Sequence, residues 1–374
     1  MKTIRLHILF LIALCCSTVK TFAQTQLSSP AHIGLIYPIS SNGKNAAQYT
    51  NHFSLHVLMG LSRAETSAAI AGISNIIKMK ATGAQVAGFS NHIGATYRSA
   101  TVAGFMNQVK QRAEGSMVAG FMNYAGMMKG VQVAGFGNFT KGNVTDGAQV
   151  AGFINTADSS VIQAAGFMNT SNNSDVQIAG FMNRSKDVRV QIGGFMNVAR
   201  KVKGVQVGFL NISDSSDCPI GAVNIVKGGE KQVSISIDET ATTIASFKSG
   251  GKVTYGILGV GVNAKGKNTL YAMLAGIGVH FPLLSHFRLN METTNLVLTD
   301  FKKGIYSKQT FAVYPAYRFG RKLEVYGGPT VNYVQMRDGV GEDIHSQYMF
   351  SRTRNNNKFE GWYVGVSAGV QYRL

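Results

Sequence analysis

The chain has 374 residues, of which 14% are charged, with 43 Gly, 6 Pro, one Trp and a formal net charge of +18. Three cysteines, two of them near the start, exclude a disulfide-stapled scaffold, and no run after residue 23 reaches the 18 apolar residues of a membrane-crossing helix. Abundant Gly beside Val, Phe and Tyr favours strands and turns, so the expected class is all-β.

The first residues read as a targeting segment. Lys2 and Arg5 give a positive start, Leu6 to Cys16 an apolar core, and Thr21-Phe22-Ala23 small residues for cleavage after Ala23. Leu14 before Cys15 is a poor fit to lipoprotein processing. Removing Lys2, Arg5 and Lys20 from the +18 balance leaves +15, with Cys218 the one remaining cysteine. On an exported chain, that charge points to anionic lipid headgroups or surface polysaccharide, or to basic turns that only solvate the loops, and not to nucleic acid.

Residues 24–67 follow as N-terminal strands and a loop, with His32 to Pro38 and Phe53 to Arg63 as the strands. Residues 68–227 then form a tandem β-repeat region. A phrase close to Val-Gln-Val-Ala-Gly-Phe-x-Asn returns with its Phe at Phe89, Phe105, Phe121, Phe136, Phe153, Phe167, Phe181, Phe195 and Phe209. The Phe positions stand 14 to 17 residues apart, settling to 14 from Phe153 onward. A period this short holds one strand and a turn, or one coil of a β-solenoid, but not a helical hairpin. In Val205 to Asn211, period-2 alternation sets Val, Val, Phe and Asn against Gln, Gly and Leu. Commoner copies insert Ala-Gly before Phe, which reads as a β-bulge carried by Gly.

Residues 228–374 form a barrel-like C-terminal region with longer alternating strands. Tyr271, Met273, Ala275, Ile277, Val279 and Phe281 share one apolar face, as do Trp362, Val364, Val366, Ala368, Val370, Tyr372 and Leu374. The pairs Tyr271/Phe281 and Trp362/Tyr372 lie ten residues apart, which at a tilt near 45° projects to roughly 23 Å. That matches an outer-membrane barrel whose apolar band lies between aromatic girdles. Arg288, Glu292, Arg318, Lys322, Glu324 and Arg373 fall on the face expected to point inward. The closing Gly369-Val370-Gln371-Tyr372-Arg373-Leu374 resembles the terminal signal read by barrel assembly machinery, with Leu374 where an aromatic residue is usual.

The repeats resemble a family of bacterial surface repeat-containing proteins, whose members carry tandem Gly-Val-Gln-Ile-Gly-Leu-x-Asn phrases after a signal peptide. Lys203 to Asn211 is the copy nearest that pattern, and the likeness covers about half the chain by motif. The resemblance implies export to the surface of a Gram-negative cell and implies no activity.

Two architectures fit the repeats. In the first, each repeat is one strand of an antiparallel sheet that runs into the C-terminal strands as one outer-membrane-type β-barrel. Its weakness is that barrels alternate short turns with long loops, whereas these joints are all alike. In the alternative, the repeats stack as a β-solenoid with ladders of Gln, Phe and Asn, followed by a smaller C-terminal β-barrel.

No HExxH, CxxC, P-loop or GxSxG pattern occurs, so no catalytic, cofactor-binding or metal residue is expected. His52 and His56 would share a strand face roughly 13 Å apart, too far for one metal ion. His280, His286 and His345 could serve a barrel lipase, but no serine has a distinctive setting. The function expected is a non-enzymatic outer-membrane or cell-surface repeat protein with a structural or surface-interaction role. A passive pore and an adhesin or self-assembling solenoid are the alternatives. The partners expected are outer-membrane lipid, lipopolysaccharide, barrel assembly machinery and surface polysaccharide.

Overall fold

The computed structural model describes residues 27–374 except positions 252, 267, 303, 338 and 355–357, so the predicted signal peptide lies outside the described residues. From Leu27 to Val226 the strands form one 18-stranded sheet wound as a solenoid, and from Lys231 onward a separate antiparallel sheet.

Consecutive repeats pair parallel and in register. Asn155 lies beside Asn169, Asn183 beside Asn197, and Gln191 beside Gln206. The solenoid alternative is therefore the observed architecture, and the repeats are not antiparallel strands of the barrel. The like joints explain why. Each coil returns to the same corner after 13 to 17 residues, as from Leu210 to Val223 and from Gly137 to Ile154. An antiparallel meander would need two kinds of joint. The winding also begins before the repeat phrase does, because Leu27–Ile36 already pairs parallel with Tyr49–Ser62.

The Ala-Gly-Phe step is a corner and not a bulge. The strand Ser159–Ala165 ends there, Gly166 and Phe167 bend, and Met168–Thr170 starts a second face of the coil. The bend resets the alternation, so Gln163 and Asn169 both point inward while Phe167 stays outside. Glycine is needed because a Cβ on Gly166 would lie 2.1 Å from the carbonyl oxygen of Gly152, one coil back. Gly180 meets Gly166 at the same 2.1 Å, so any side chain would push successive coils apart.

Three ladders run along the stack. Eleven asparagines from Asn75 to Asn224 are buried, each amide donating to the next Oδ1 at 2.8–3.0 Å. The same amide also binds the next coil's backbone, as where Asn169 Nδ2 donates to the Ile178 carbonyl at 2.6 Å. Gln132, Gln149, Gln163, Gln177, Gln191 and Gln206 form a second inner ladder at 2.8–2.9 Å. Outside the corner, rings from Phe89 to Phe209 stack with centroids 4.7–5.8 Å apart and planes within 12°. Apolar filling is thickest in the earlier coils, around Ile77, Ile93, Val109, Met117, Met128 and Val144.

Eight strands close the second sheet: Lys231–Asp238, Thr242–Gly250, Thr254–Asn263, Leu270–Pro282, Phe287–Thr299, Ile305–Phe319, Leu323–Arg337 and Lys358–Arg373. Closure comes from the first pairing with the last, for example Val233 with Tyr372. The short strand Phe350–Arg354 covers the part of the last strand that the first is too short to reach. The hairpin between Gly250 and Thr254 abuts the last coils of the solenoid. Asn224 donates from its backbone to Ser249 Oγ at 3.0 Å and from Nδ2 to the Ser249 carbonyl at 3.2 Å, while Thr254 Oγ1 donates to the Pro219 carbonyl at 2.8 Å. The last amide of the ladder is thus satisfied by the barrel.

Asn169→Ala should destabilise the solenoid by about 2–4 kcal/mol, because it strips the donor from both the buried Asn183 Oδ1 and the Ile178 carbonyl. Phe167→Ala, which removes a half-exposed ring, should cost about 1–2 kcal/mol. Urea unfolding followed by far-UV circular dichroism compares the two; a larger loss for the Phe variant would contradict this ranking.

Candidate membrane interface and barrel interior

The barrel is apolar outside and polar inside. Val233, Ile235 and Ile237 of the first strand face outward, as do Val260, Val262, Met273 and Ile277 on the next strands and Val364, Val366 and Val370 on the last. Val260, at 66% exposed, and Val366, at 63%, would be costly in water. An apolar band that continues around all eight strands far exceeds the few hundred Å² usual for a soluble monomer. Asn295 and Gln309, cross-strand neighbours, are polar interruptions on that face.

Aromatic side chains sit at both rims. Tyr271 and Trp362 lie toward the rim away from the solenoid, where Tyr271 packs against Phe301 at 5.3 Å and Trp362 against Tyr333 at 4.8 Å. Phe281 and Tyr372 lie at the solenoid-side rim with Tyr317 and Phe319, whose rings meet edge-on at 4.9 Å. Lys322, expected inside, is instead exposed in the turn at this rim, its ammonium 5.3 Å from the Tyr372 ring centre. A turn residue follows no strand alternation, which is why the pattern misplaced it.

The other charged residues expected inside do meet there, in three tiers. Nearest the solenoid, Arg288 bridges Glu230 at 2.8 Å and Glu324 at 2.9 Å. Arg318 reaches Glu324 at 3.6 Å and Arg373 reaches Glu230 at 3.3 Å, both from the partly exposed end of the barrel. In the middle, buried Lys248 pairs with Glu292, which also accepts from the Tyr255 hydroxyl at 2.8 Å. Farther on, Lys308 pairs with Asp238, and Tyr363 donates to Glu239 at 2.8 Å. Beyond that tier the lining turns apolar, and Ile344 from the segment after Arg337 is buried among Tyr306, Tyr363 and Met336. A cavity of about 60 Å³, bordered by Lys248, Glu292, Lys308 and Asp238, remains between the tiers. It has room for a few waters. Sequence reasoning missed Glu230, Asp238, Lys248 and Lys308. Lys248 was detectable, since it alternates with Ile244 and Ser246 on one face of its strand.

The histidines do not form a site together. His280 stacks on Tyr255 at 4.1 Å and bonds Asn290, while His345 stacks on Tyr363 at 4.0 Å and His286 lies near Tyr317 at the rim. His52 is exposed and bonded to Thr66, whereas His56 is buried against His32 with the two Nε2 atoms 3.5 Å apart. Asn51 donates to Glu65 at 3.1 Å and to His32 Nδ1 at 3.3 Å, which leaves the His32 proton on Nε2, facing Ser40. Burial, and then the neighbouring His56, lowers the His32 pKa to about 4; burial lowers that of His56 and raises that of Glu65. The cluster therefore closes the first coils as a buried hydrogen-bonded plug. Among the described residues no group of three or more His, Cys, Asp or Glu side chains is arranged to hold a metal ion.

On the solenoid, a groove next to the barrel is bordered by Arg184, Lys186, Arg200, Lys227, Lys231 and Asp214. Arg200 is paired with Asp187 at 2.8 Å; among the described residues the other four cations make no ion pair.

The chain matches no family model, no curated protein and no solved structure. No helix among the described residues is long and apolar enough to cross a membrane, which leaves membrane-crossing strands untouched.

The middle tier gives a direct test of interior packing. Lys248→Met alone leaves Glu292 without its cation and should cost on the order of 3–5 kcal/mol, whereas Lys248→Met with Glu292→Leu should recover most of that loss. Thermal unfolding in detergent micelles reads both, and equal losses in the single and double variants would contradict a shielded ion pair.

Proposed function

We propose that this chain is a non-enzymatic outer-membrane protein in which the C-terminal barrel anchors a stiff repeat solenoid with a structural or surface-interaction role. The observation that carries the reading is the inverted polarity of the barrel. Its outward face is apolar between two aromatic rims, and its charges are turned inward and paired. Water would drive the opposite arrangement, while lipid favours this one. The partners that follow are outer-membrane lipid and lipopolysaccharide around the band, and barrel assembly machinery acting on the terminal strand.

A passive pore is less well supported, because the inward charges neutralise one another and Ile344 fills the end away from the solenoid. An adhesin or self-assembling solenoid is favoured by one feature, the exposed Phe stack along the corner, which extends about 40 Å at one ring per strand spacing. Likeness to the surface repeat-containing family, carried by Lys203 to Asn211, agrees with export to the cell envelope.

Expressed with its leader in a Gram-negative host, the protein should float with outer-membrane vesicles on a density gradient. It should resist carbonate extraction and come off only with detergent. Recovery in the soluble fraction without detergent would refute the membrane reading.

A further inference from the structure

The rim that carries the solenoid differs from the opposite rim in how its strands are joined. On the solenoid side, three residues connect Gly250 to Thr254, four connect Pro282 to Phe287 and three connect Phe319 to Leu323. The first barrel strand starts at Lys231 and the last finishes at Arg373 on this side, as an even number of strands requires. On the far side the joints are longer on the whole. Three residues connect Asp238 to Thr242, six connect Asn263 to Leu270, five connect Thr299 to Ile305 and twenty connect Arg337 to Lys358.

Outer-membrane barrels keep short turns on the periplasmic side and longer loops outside. A barrel inserted from the periplasm leaves both its ends on the side from which it came. A folded solenoid cannot follow through an interior whose remaining cavity is about 60 Å³. Nor can it swing to the other rim, since Asn224 and Pro219 are bonded to the Ser249–Thr254 hairpin at the short-turn side.

We infer that the repeat solenoid hangs from the inner face of the outer membrane into the periplasm and is not displayed outside the cell. The inference rests on the barrel being membrane-embedded. It assigns the solenoid's partners to the periplasm. The basic groove of Arg184, Lys186 and Lys227, next to Lys231 at the start of the first barrel strand, opens beside the inner-leaflet headgroups. Glu342 and Asp343, exposed on the longest joint, then face the cell exterior.

Thiol labelling of intact cells tests this, in a Cys218→Ser background with Cys15 and Cys16 removed along with the leader. Single cysteines replace Glu342 on the long joint and Met79 and Met127 on the solenoid, the latter two at 57% and 50% exposure. A membrane-impermeant maleimide should label Glu342→Cys on intact cells. Met79→Cys and Met127→Cys should be protected at least tenfold until the outer membrane is permeabilised. Labelling of the solenoid cysteines on intact cells as fast as Glu342→Cys would overturn the inference, and so would protection of Glu342→Cys with labelling of the solenoid. Gradient flotation of the same samples separates this outcome from a failure of the membrane reading, because a misoriented protein still floats with the membrane and a soluble one does not.

Discussion

The buried backbone and the stacked amides of this molecule find their hydrogen bonds mainly from neighbouring strands, because each of its two parts has an interior that water does not serve. The barrel answers by closure. Pairing Val233 with Tyr372 removes the free edges that an open sheet would leave unpaired. The solenoid answers by stacking, so that each coil is the partner of the one before. The inner asparagines extend the same logic to side chains, each amide from Asn75 to Asn211 donating both to the next asparagine and to a carbonyl of that next coil. Where the stack ends, Asn224 passes its last donor to Ser249 of the barrel.

The two parts then solve opposite solvation problems with one kind of strand. In the solenoid, amides fill the inside and the Phe, Val and Met rows cover the corner. In the barrel, paired charges fill the inside and the apolar side chains are turned out. An eight-stranded barrel is just narrow enough for its side chains to fill it, and Arg288, Lys248 and Lys308 each find a carboxylate there. The sequence element common to both parts is alternation within each strand, which the solenoid resets at every corner. What differs is which phase of the alternation faces inward.

Much of this was legible in the sequence, and the places where it was not are informative. The barrel strands were readable because Trp362 to Leu374 and Tyr271 to Phe281 alternate without interruption, so their faces follow from period alone. The repeats were readable as repeats, but their pairing direction was not, because a parallel coil and an antiparallel meander place the same residues at the same intervals. The corner at Gly166-Phe167 was hidden for a related reason. An extra residue in a strand and a bend between strands shift the alternation identically, and only the approach of the Gly152 carbonyl distinguishes them. The first coils escaped notice because His32, Ser54 and Ala69 stand in the row that Gln85 continues, and Gly60 stands beside Asn75 at the start of the asparagine row. Ion pairs such as Lys248 with Glu292 join residues distant in the chain, and strand alternation shows which way each points but not whom it meets.

Trp362 gives the most direct test of the inside-out barrel, since it is the only tryptophan in the chain and lies on the outward face at the rim away from the solenoid. Reconstituted into vesicles of lipids brominated at defined acyl positions, it should emit at blue-shifted wavelengths and be quenched most strongly by the shallow bromines. Emission at the wavelength of a water-exposed indole, quenched by aqueous iodide and untouched by brominated lipid, would contradict the account.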